Sequence, residues 1–318
     1  MSAEFDLIAR HFTRPPRRAV LGVGDDCALL PPPAGQQLAV SSDMLVEGRH
    51  FVSTVAPERL GHKALAVNLS DLAACGAEPL AFTLALSLPR PDEAFLAGFA
   101  RGLFGLAEAQ GIELVGGDTT AGPLTLCLTV IGLVPPGQAL LRSGARAGDD
   151  LWVSGCLGDA RLALEVLRGT VLLDGAGFEA VRRAMELPQP RVALGLALRG
   201  LATSAIDLSD GLVGDLGHVL QRSGVGAAVD VDALPCSAVL AAQAPALRRT
   251  CLLAGGDDYE LLFTAPPQRR EAVLAAGAAA GVALTRCGRI EAEPGLRLRD
   301  AGGPLQAEAF RGFDHFEQ

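Results

Sequence analysis

Six short acidic turns constrain the fold of this chain more than any other feature of its sequence. In each turn an Asp follows a Gly, a Ser or another Asp, where a strand is predicted to end or a helix to begin. The turns are Gly24-Asp25-Asp26, Ser41-Ser42-Asp43, Asn68-Leu69-Ser70-Asp71, Gly116-Gly117-Asp118-Thr119, Asp207-Leu208-Ser209-Asp210 and Gly255-Gly256-Asp257-Asp258. Because carboxylates repel one another and resist burial, a fold that gathers several of them needs cations.

The oxygen atoms of these turns indicate a particular chemistry. Hard oxygen ligands on tight turns of small residues suit Mg²⁺, and Mg²⁺ in such sites usually accompanies phosphate. A single Gly-Asp or Ser-Asp pair is more often an ordinary turn or a helix cap. Six in one chain favour a shared site, and the sequence therefore predicts a Mg²⁺-dependent enzyme that acts on a nucleotide.

Three of the turns carry a further signal. Asp71 falls in the middle of a predicted helix, where Asp has poor propensity and no cap to make, so metal ligation is favoured over a salt bridge to Lys63 or an arginine. Asp207 and Asp210 are three residues apart at a strand-to-helix junction, so both side chains can face one ion. The glycines before Asp118 allow the backbone to approach a phosphate closely.

Lys63 is the only lysine in the chain, and this excludes the most familiar nucleotide-binding motifs. Its neighbours, Gly61-His62-Lys63-Ala64, do not fit a P-loop. A protein-kinase fold would need a strand lysine paired with a helix glutamate, together with a His-Arg-Asp loop, and the sequence has neither. If the chain handles ATP, metal ions must supply most of the positive charge.

Length and charge narrow the class of protein further. At 318 residues the chain is longer than one hydrophobic core usually serves, so two domains are expected. A net charge of −9 argues against a nucleic acid as partner. No apolar run is long enough to cross a membrane, and the acidic N-terminal residues differ from a secretory signal, so we expect a cytoplasmic protein with no membrane partner.

Turn residues divide the chain into domains expected over 1–137 and 138–318. A Pro-Pro-Gly turn at 135–137 and a polar stretch over 143–150 mark the boundary, and strands alternate with helices on both sides of it. The main predicted helices are Pro57 to Cys75, Pro91 to Gln110, Asp159 to Leu167, Gly211 to Arg222 and Pro267 to Ala280. The main predicted strands are Leu38 to Ser41, Leu80 to Leu88, Leu124 to Val134, Leu151 to Ser154, Ser204 to Asp207, Cys251 to Leu253, Glu260 to Thr264 and Leu284 to Ile290.

Three residues outside the acidic turns are candidate ligand contacts. His50 is a candidate contact of the substrate, with a local hydrogen-bond partner as the alternative. Arg142 is a candidate phosphate contact, with a surface salt bridge as the alternative. Phe313, near the C-terminal end of the sequence, is a candidate to pack on an aromatic or cationic ligand, and docking of the tail is the competing interpretation.

Taken together, these motifs resemble those of a known family. The matching blocks are Gly24-Asp25-Asp26-Cys27-Ala28, Ser42-Asp43 with Glu47-Gly48-Arg49-His50-Phe51, Lys63 to Ala74, Gly116-Gly117-Asp118-Thr119-Thr120, Ser204 to Leu212, Gly255 to Leu261 and Gly312 to Phe316. In this order the set resembles the thiamine-monophosphate kinase family, within the aminoimidazole-ribonucleotide-synthetase-like superfamily. Single blocks are shared with relatives in the superfamily, but the full set, which spans nearly the whole chain, is specific.

The resemblance implies a fold and a reaction. The implied fold is α/β (α+β) with two domains. The N-terminal domain would have a mixed sheet with helices, would pair with its copy in a homodimer and would carry ATP and Mg²⁺. The C-terminal domain would be an α/β sandwich that completes the substrate site. The implied reaction transfers the γ-phosphoryl group of ATP to thiamine monophosphate by in-line attack, giving thiamine diphosphate and ADP.

The resemblance also implies roles for individual residues. The implied ligands of several Mg²⁺ ions are Asp26, Ser41, Ser42, Asp43, Asp71, Asp118, Asp207 and Asp210, of which Asp71, Asp118 and Asp210 are the candidate catalytic residues. The implied ATP contacts are Gly117, Asp118, Arg142 and Ser209. The implied contacts of thiamine monophosphate are His50, Asp257 and Phe313. Members of the family often have Glu at the position of Asp257.

Two other functions remain open at the level of the sequence. One is another ATP-dependent synthetase of the same superfamily. Selenophosphate synthesis, for example, would need a reactive Cys in a glycine-rich N-terminal segment, whereas the first Cys here is Cys27, inside an acidic turn. The other is a non-catalytic maturation protein of that fold, which would end in a modifiable cysteine, whereas this sequence ends in His315-Phe316-Glu317-Gln318.

Overall fold

Two compact units make up the part of the chain that the computed structural model describes, which is residues 7, 10–20, 23, 28, 30, 31, 33–310 and 312. Within that part, the first unit falls in Met1–Leu72 and Ala77–Gly137, and the second in Ala73–Gly76 and Gln138–Gln318. Each unit contains a mixed β-sheet with helices. This confirms the predicted α/β (α+β) class with two domains.

A four-stranded sheet with the order β1-β4-β2-β3 forms the first unit. Its strands are β1 (Gln37–Val46), β2 (Glu78–Leu88), β3 (Glu113–Ala121) and β4 (Thr125–Val134). Strand β4 is antiparallel to both β1 and β2, and β2 is parallel to β3. The first and third strands of the chain therefore lie at opposite edges of this sheet.

Two 18-residue helices, α1 (Pro57–Ala74) and α2 (Glu93–Gln110), lie in the first unit, except for the last two residues of α1. Pro57 opens α1, where its missing N–H would have no partner in the helix. The prediction that α2 begins at Pro91 is two residues early, because Asp92 is its N-cap and accepts a hydrogen bond from Phe95 N at 3.0 Å. Gly111, in the left-handed conformation, ends α2.

A seven-stranded sheet with the order β11-β10-β7-β9-β5-β8-β6 forms the second unit. Its strands are β5 (Asp150–Ser154), β6 (Ser204–Asp207), β7 (Gly226–Asp230), β8 (Leu261–Ala265), β9 (Leu284–Glu291), β10 (Gly295–Asp300) and β11 (Gly303–Leu305). Strands β7 and β10 are parallel, and the other neighbouring pairs are antiparallel. Strand β6 therefore lies at one edge of this sheet.

Seven α-helices accompany this sheet in the described part of the second unit. They are α3 (Asp159–Leu167), α4 (Gly175–Glu186), α5 (Val192–Ala197), α6 (Leu212–Ser223), α7 (Ala238–Ala241), α8 (Pro245–Ala254) and α9 (Arg270–Ala279). The core includes Leu151 and Val153 of β5, Leu216 and Val219 of α6 and Leu262 of β8, all of them buried. None of the helices in the described ranges combines the length and apolar character needed to cross a bilayer.

The predicted strand over Cys251 to Leu253 is wrong. These three buried residues form part of α8, which begins at Pro245. A short apolar run fits a buried strand and a buried helix equally well, because periodicity cannot separate them. The helix signal was the proline, which occupies the first turn of α8.

An ion cluster anchors β5 in the second unit. The carboxylate of Asp150, which is 1% exposed, accepts hydrogen bonds from Arg270 Nε at 2.5 Å and Arg270 Nη2 at 2.8 Å. Arg286 Nη1 adds a third contact at 3.3 Å. The hydrogen bond from Arg270 is the main reason that the pKa of Asp150 is lowered from its ordinary value.

Candidate active site

Strand β1 and helix α1 bring three predicted site residues together in the first unit. Ser41 and Asp43 are two residues apart on β1 and therefore share a face of the strand. The Ser41 hydroxyl donates a hydrogen bond to Asp71 Oδ2, and the Asp43 amide donates to Asn68 Oδ1 at 3.1 Å. Oxygen atoms from β1 and α1 thus meet on the side of the sheet that α1 covers.

Asn68 holds this cluster in place from inside α1. Its side chain is fully buried, and Nδ2 donates to Ala64 O at 2.9 Å, one turn earlier in the helix. Both the donor and the acceptor of the amide are therefore satisfied, as a buried polar group requires. Asp71, three residues later, lies on the same side of α1.

His50 and Lys63 are linked through the backbone beside this cluster. His50 Nδ1 accepts a hydrogen bond from Val46 N at 3.0 Å, and Lys63 Nζ donates to His50 O at 3.3 Å. A ring nitrogen that accepts carries no proton, so Nε2 carries it when the imidazole is neutral. The local hydrogen bond that was the alternative for His50 is present, and it orients the ring through Nδ1.

The strand order separates Asp43 from Asp118. Asp43 lies on β1 and Asp118 on β3, with two strands between them, which at the usual strand spacing puts them about 14 Å apart across the sheet. Asp118 is in register with Ala85, and Ala85 with Cys127. Cys127 is in register with Met44, so Asp118 faces the side of the sheet opposite Asp43. One copy of the first unit does not bring these two carboxylates to one ion.

Ser42 and Gly117 both have structural roles in this sheet. Ser42 Oγ donates to Leu128 O at 3.0 Å and lies 3.0 Å from Thr129 Oγ1. A Cβ atom on residue 117 would lie 1.9 Å from Leu84 O. Gly117 is therefore required for the close pairing of β3 with β2, directly before Asp118.

Two of the acidic turns are joined by backbone hydrogen bonds in the second unit. In the turn before β8, Asp257 N donates a hydrogen bond to Ser209 O at 2.9 Å, and Tyr259 N donates one to Leu208 O at 2.8 Å. A Cβ atom on Gly256 would lie 2.4 Å from Ser209 O, so only glycine allows this approach. The contact holds the end of β6 and the loop after it, which carry the predicted metal ligands Asp207 and Asp210, next to the predicted substrate contact, Asp257.

Asp257 and Tyr259 have unusual backbone conformations. Their φ angles are 67° and 51°, in the left-handed region that residues with a Cβ rarely adopt. The Tyr259 hydroxyl donates a hydrogen bond to Asp257 Oδ1 at 3.0 Å. Such conformations cluster at functional sites, where surrounding contacts hold them.

Asp258, the neighbour of Asp257, has a structural role. Its carboxylate accepts hydrogen bonds from Gly158 N at 2.9 and 3.1 Å, at the start of α3. Burial raises the pKa of Asp258 well above its ordinary value, and the charges of Glu260 and Asp159 raise it further. Asp258 therefore stabilises the start of α3, whereas Asp257 remains the candidate contact of the substrate.

Asp215 is a functional candidate that the sequence reasoning missed. Its side chain is buried and accepts hydrogen bonds from Asp210 N and Gly211 N, both at 3.1 Å. Burial, followed by the charge of Asp210, raises the pKa of Asp215 to about 7. An acid in the first turn of α6, just after the glycine of the acidic turn, was the available signal.

Glu260, directly after the turn of Asp257 and Asp258, pairs with Arg191, and no sequence pattern predicted the pair. Arg191 Nε donates to Glu260 Oε2 at 2.7 Å, and the Ser154 hydroxyl donates to the same oxygen. Ser154 Oγ in turn accepts a hydrogen bond from Leu261 N at 2.8 Å. The partners are 69 and 106 residues away from Glu260, so no local pattern joins them.

Arg142 lines a cleft on the second unit. The cleft has a volume of about 590 Å³, and its other lining residues are His218, Gln221 and Arg222 of α6. The charge of Arg142 acts on Asp215, whose pKa it lowers in part. Arg142 thus lies near the loop after β6, as a contact for a phosphate would.

Two predicted site residues, Asp26 and Phe313, lie outside the described residues. Gly312, beside Phe313 in the sequence, is described, and a Cβ atom there would lie 3.3 Å from Asp210 O and 3.4 Å from Gly214 Cα. Across the described ranges, no group of three or more His, Cys, Asp or Glu side chains is arranged to hold a metal ion. The predicted metal ligands that are described occur as smaller groups in each unit.

Known proteins resemble the chain along nearly its whole length. The family model for the N-terminal domain of AIR synthase related proteins matches residues 24–134, and the model for their C-terminal domain matches residues 136–301. A thiamine-monophosphate kinase of Escherichia coli (strain K12) is 46% identical over 98% of this chain and 98% of its own length.

Solved structures agree with these matches. A thiamine-monophosphate kinase from Stenotrophomonas maltophilia K279a has a TM-score of 0.85 at 46% identity, over 91% of this chain and 92% of that one. A structure described as AaThiL complexed with AMPPCP and TMP has a TM-score of 0.78 at 30% identity, over 90% of this chain and 89% of that one.

Proposed function

The chain belongs to the thiamine-monophosphate kinase family, and on that premise we propose that it transfers the γ-phosphoryl group of ATP to thiamine monophosphate. The products are thiamine diphosphate and ADP. The observation that carries the proposal is the backbone pairing of the two acidic turns in the second unit. It holds Asp207 and Asp210, candidate ligands for phosphate-bound metal ions, beside Asp257, a candidate substrate contact.

The reaction requires that the charges of the two phosphorylated substrates are neutralised and that the substrates are held in position. ATP and thiamine monophosphate are both anions, and catalysis of phosphoryl transfer consists mostly of holding such groups in line. The attacking oxygen belongs to a phosphate that is already anionic, so no strong general base is needed. The fixed loops around Asp257 and the hydrogen-bonded cluster around Asp71 suit this task.

Mg²⁺ is part of the same proposal, because the candidate donors are all oxygen atoms. Those in the described residues are Ser41, Ser42, Asp43, Asp71, Asp118, Asp207 and Asp210, and Asp26 is the eighth candidate. Hard oxygen donors favour Mg²⁺ over softer metals. Bound there, Mg²⁺ would neutralise the charge of the phosphates, which the only lysine, buried in α1, does not offer.

The remaining contacts follow the family pattern. We assign ATP to Gly117, Asp118, Arg142 and Ser209, and thiamine monophosphate to His50, Asp257 and Phe313. The structure of AaThiL with AMPPCP and TMP supports both ligands for the family. A cytoplasmic location fits an enzyme that uses ATP and whose described cysteines are all free thiols.

A homodimer would complete the metal site of the first unit. Within one copy, Asp43 and Asp118 lie at opposite edges of the sheet, and a second copy could bring its β3 edge to the β1 edge of the first. The outer face of β1 supports this, because Leu38, Val40 and Met44 are between 51% and 63% exposed there. Exposed apolar side chains in one row are typical of an interface.

An assay of thiamine esters tests the proposed reaction. Purified protein is incubated with ATP, Mg²⁺ and thiamine monophosphate, and the esters are separated by chromatography. We expect thiamine diphosphate to form in equal amounts with ADP, and only when Mg²⁺ is present. Hydrolysis of ATP without thiamine diphosphate would reject the proposal and favour another ATP-dependent member of the superfamily.

A further inference from the structure

A buried carboxylate directly follows the turn that carries Asp257. Glu260 is 5% exposed, and both of its carboxylate oxygens accept hydrogen bonds from Arg191, with Arg191 Nε 2.7 Å from Oε2. The Ser154 hydroxyl donates to Oε2 as well. An arginine that binds a carboxylate through two donors fixes its orientation as well as its position. The side chain of Glu260 is therefore held in one orientation.

The end of β5 is shaped to receive this carboxylate. A Cβ atom on Gly155 would lie 1.9 Å from Glu260 Oε1, and the φ angle of Gly155 is 59°, so only glycine fits there. Ser154, the residue before it, accepts a hydrogen bond from Leu261 N at 2.8 Å while it donates to Glu260. Two consecutive residues of this segment thus accommodate Glu260.

Arg191 reaches Glu260 from a segment with little conformational freedom. It follows Pro188 and Pro190, which fix two backbone φ angles, and it comes directly before α5. Burial acts to lower the pKa of Arg191, but the hydrogen bond to Glu260 and the charge of Glu260 outweigh it, so the pKa is raised. Arg191 therefore keeps its charge although it is partly buried.

Glu260 connects this pair to the turn before it. Asp257 and Tyr259 have left-handed backbones, a conformation that persists only where neighbouring contacts hold it. The residue after each of them is anchored by its side chain, Asp258 by Gly158 N and Glu260 by Arg191. Left-handed and anchored residues thus alternate from 257 to 260, so the orientation of Asp257 depends on both anchors.

The loop after β6 has a support of its own. Leu208 N donates to Glu260 O at 2.8 Å, which involves only the backbone of Glu260. Asp210 N and Gly211 N both donate to the buried carboxylate of Asp215. A change in the side chain at 191 or 260 leaves these hydrogen bonds in place. It removes one of the two anchors beside Asp257.

We propose that Arg191 is a positioning residue for the substrate and acts through Glu260 on the orientation of Asp257. The proposal rests on the proposed function in taking Asp257 as a contact of thiamine monophosphate. It assigns Arg191 no contact of its own with either substrate. Breaking the pair should therefore weaken the binding of thiamine monophosphate and spare that of ATP.

Two single variants and their combination test the pair. Arg191→Met removes the donors and leaves the Glu260 carboxylate buried without its cation, which is a costly arrangement. Glu260→Gln keeps the shape of the side chain and an acceptor for the Ser154 hydroxyl. The double variant buries no unpaired charge, so the turn should regain part of its native conformation. Circular dichroism and melting curves check that each variant folds.

Calorimetric titration of the full chain, with Mg²⁺ present, measures Kd for thiamine monophosphate and for the ATP analogue AMPPCP. We expect Arg191→Met to raise the first Kd by about tenfold or more and the second by less than about twofold. The double variant should bind thiamine monophosphate at least about threefold more tightly than Arg191→Met. In the ester assay, KM for thiamine monophosphate should rise while kcat stays nearly unchanged.

The matched control is Arg270→Met. Arg270 also binds a buried carboxylate through two donors, that of Asp150, at the opposite end of β5 from Ser154. This variant should melt at a lower temperature than the wild type and keep both Kd values. A loss of thiamine monophosphate binding as large as in Arg191→Met would show that any broken ion pair of this unit has the effect, and would overturn the proposal.

Two further results would overturn it. One is a wild-type Kd for thiamine monophosphate in Arg191→Met, and the other is a double variant that binds no better than Arg191→Met, which would make Arg191 a direct contact. If Arg191→Met does not fold, Glu260→Gln provides the same test, with a rise in Kd of about two- to tenfold expected.

The binding measurements do not depend on turnover. A wild-type protein that binds thiamine monophosphate, with the expected losses in the variants, but makes no thiamine diphosphate would reject the proposed reaction alone. A wild-type protein that makes thiamine diphosphate and variants with unchanged Kd values would reject the role of Arg191 alone. A wild-type protein that does not bind thiamine monophosphate would reject both.

Discussion

The two units hold their acidic residues in different ways. In the second unit, backbone hydrogen bonds join the acid-bearing turns after β6 and before β8 within one chain. In the first, Asp43 and Asp118 lie at opposite edges of a sheet and on opposite faces. A single copy therefore holds the acid-bearing turns of the second unit together but keeps Asp43 and Asp118 apart, and in the proposed homodimer a second copy would complete the site of the first unit. Four experiments test and refine this view.

The largest effect is expected from Asp71→Asn. The change removes a candidate metal ligand but keeps an acceptor for the Ser41 hydroxyl, so the fold should persist. We expect turnover to fall by at least about 100-fold, as for the loss of one group that stabilises developing charge. The control is Asp174→Asn, the same change at the N-cap of α4, which should keep full activity. Near-normal turnover in Asp71→Asn would make Asp71 a structural residue.

Mixed dimers test whether Asp43 and Asp118 act from different copies. Asp43→Asn and Asp118→Asn should each be inactive as pure proteins. Refolded together, half of the dimers would be mixed and would keep one intact site of two, so about a quarter of the wild-type activity should return. Absence of any recovery, with mixed dimers confirmed by tags, would place both residues in one copy.

A second mixture is the matched control for that experiment. Asp71 contacts Ser41, two residues from Asp43, inside one copy. A mixture of Asp43→Asn and Asp71→Asn should therefore recover nothing, whatever the arrangement of the dimer. Recovery of activity in this mixture as well would contradict the assignment of Asp43 and Asp118 to different copies.

A smaller effect is expected in the preorganised loop from Tyr259→Phe. The variant loses the hydrogen bond from the hydroxyl to Asp257 Oδ1, a bond of the kind that contributes about 1 kcal/mol. We expect KM for thiamine monophosphate to rise by about two- to tenfold, with kcat and KM for ATP nearly unchanged. A change in kcat alone would show that the hydroxyl acts on something other than the position of Asp257.

The last experiment concerns the anchor of β5 and measures a change in stability, with turnover nearly unchanged. Asp150→Asn loses its pairing with Arg270, and we expect the free energy of unfolding at pH 7 to fall by about 1–2 kcal/mol, because Arg270 is half exposed. A lowered pKa means that the contribution is present above the unfolded value of 3.8 and is lost as the pH falls through the folded value. Urea titrations should therefore show the gap between wild type and variant closing below about pH 4. A difference in unfolding free energy that does not change with pH would show that the ion pair does not contribute to stability.

Local signals predicted most of the elements correctly. The helix predicted over Gly211 to Arg222 is observed over Leu212–Ser223, because glycine and an apolar stripe mark it plainly. Asp71 lies inside a helix, as predicted, and Asp207 and Asp210 lie at the predicted junction of a strand and a helix. Cys251 to Leu253 fell in an element of the wrong type, and two predicted acidic turns, Ser41-Ser42-Asp43 and Gly116-Gly117-Asp118-Thr119, lie inside strands β1 and β3. A strand that continues through small and polar residues hides its end from the sequence pattern.

Pairings between distant segments could not be read from the sequence. The separation of Asp43 and Asp118 follows from strand order, which hydrophobic patterns do not encode. Arg191 and Glu260 meet because β5, β8 and the start of α5 come together in three dimensions. Asp215 escaped notice because an acid near the start of a helix is common.

The buried position of Lys63 has a practical consequence. Its ammonium group donates to His50 O beneath the surface, with only 2% of the residue exposed, and the chain contains no other lysine. Reagents that acylate amines will therefore find no lysine side chain on the native protein. The rate at which Lys63 is acylated would therefore measure how often α1 opens by local unfolding.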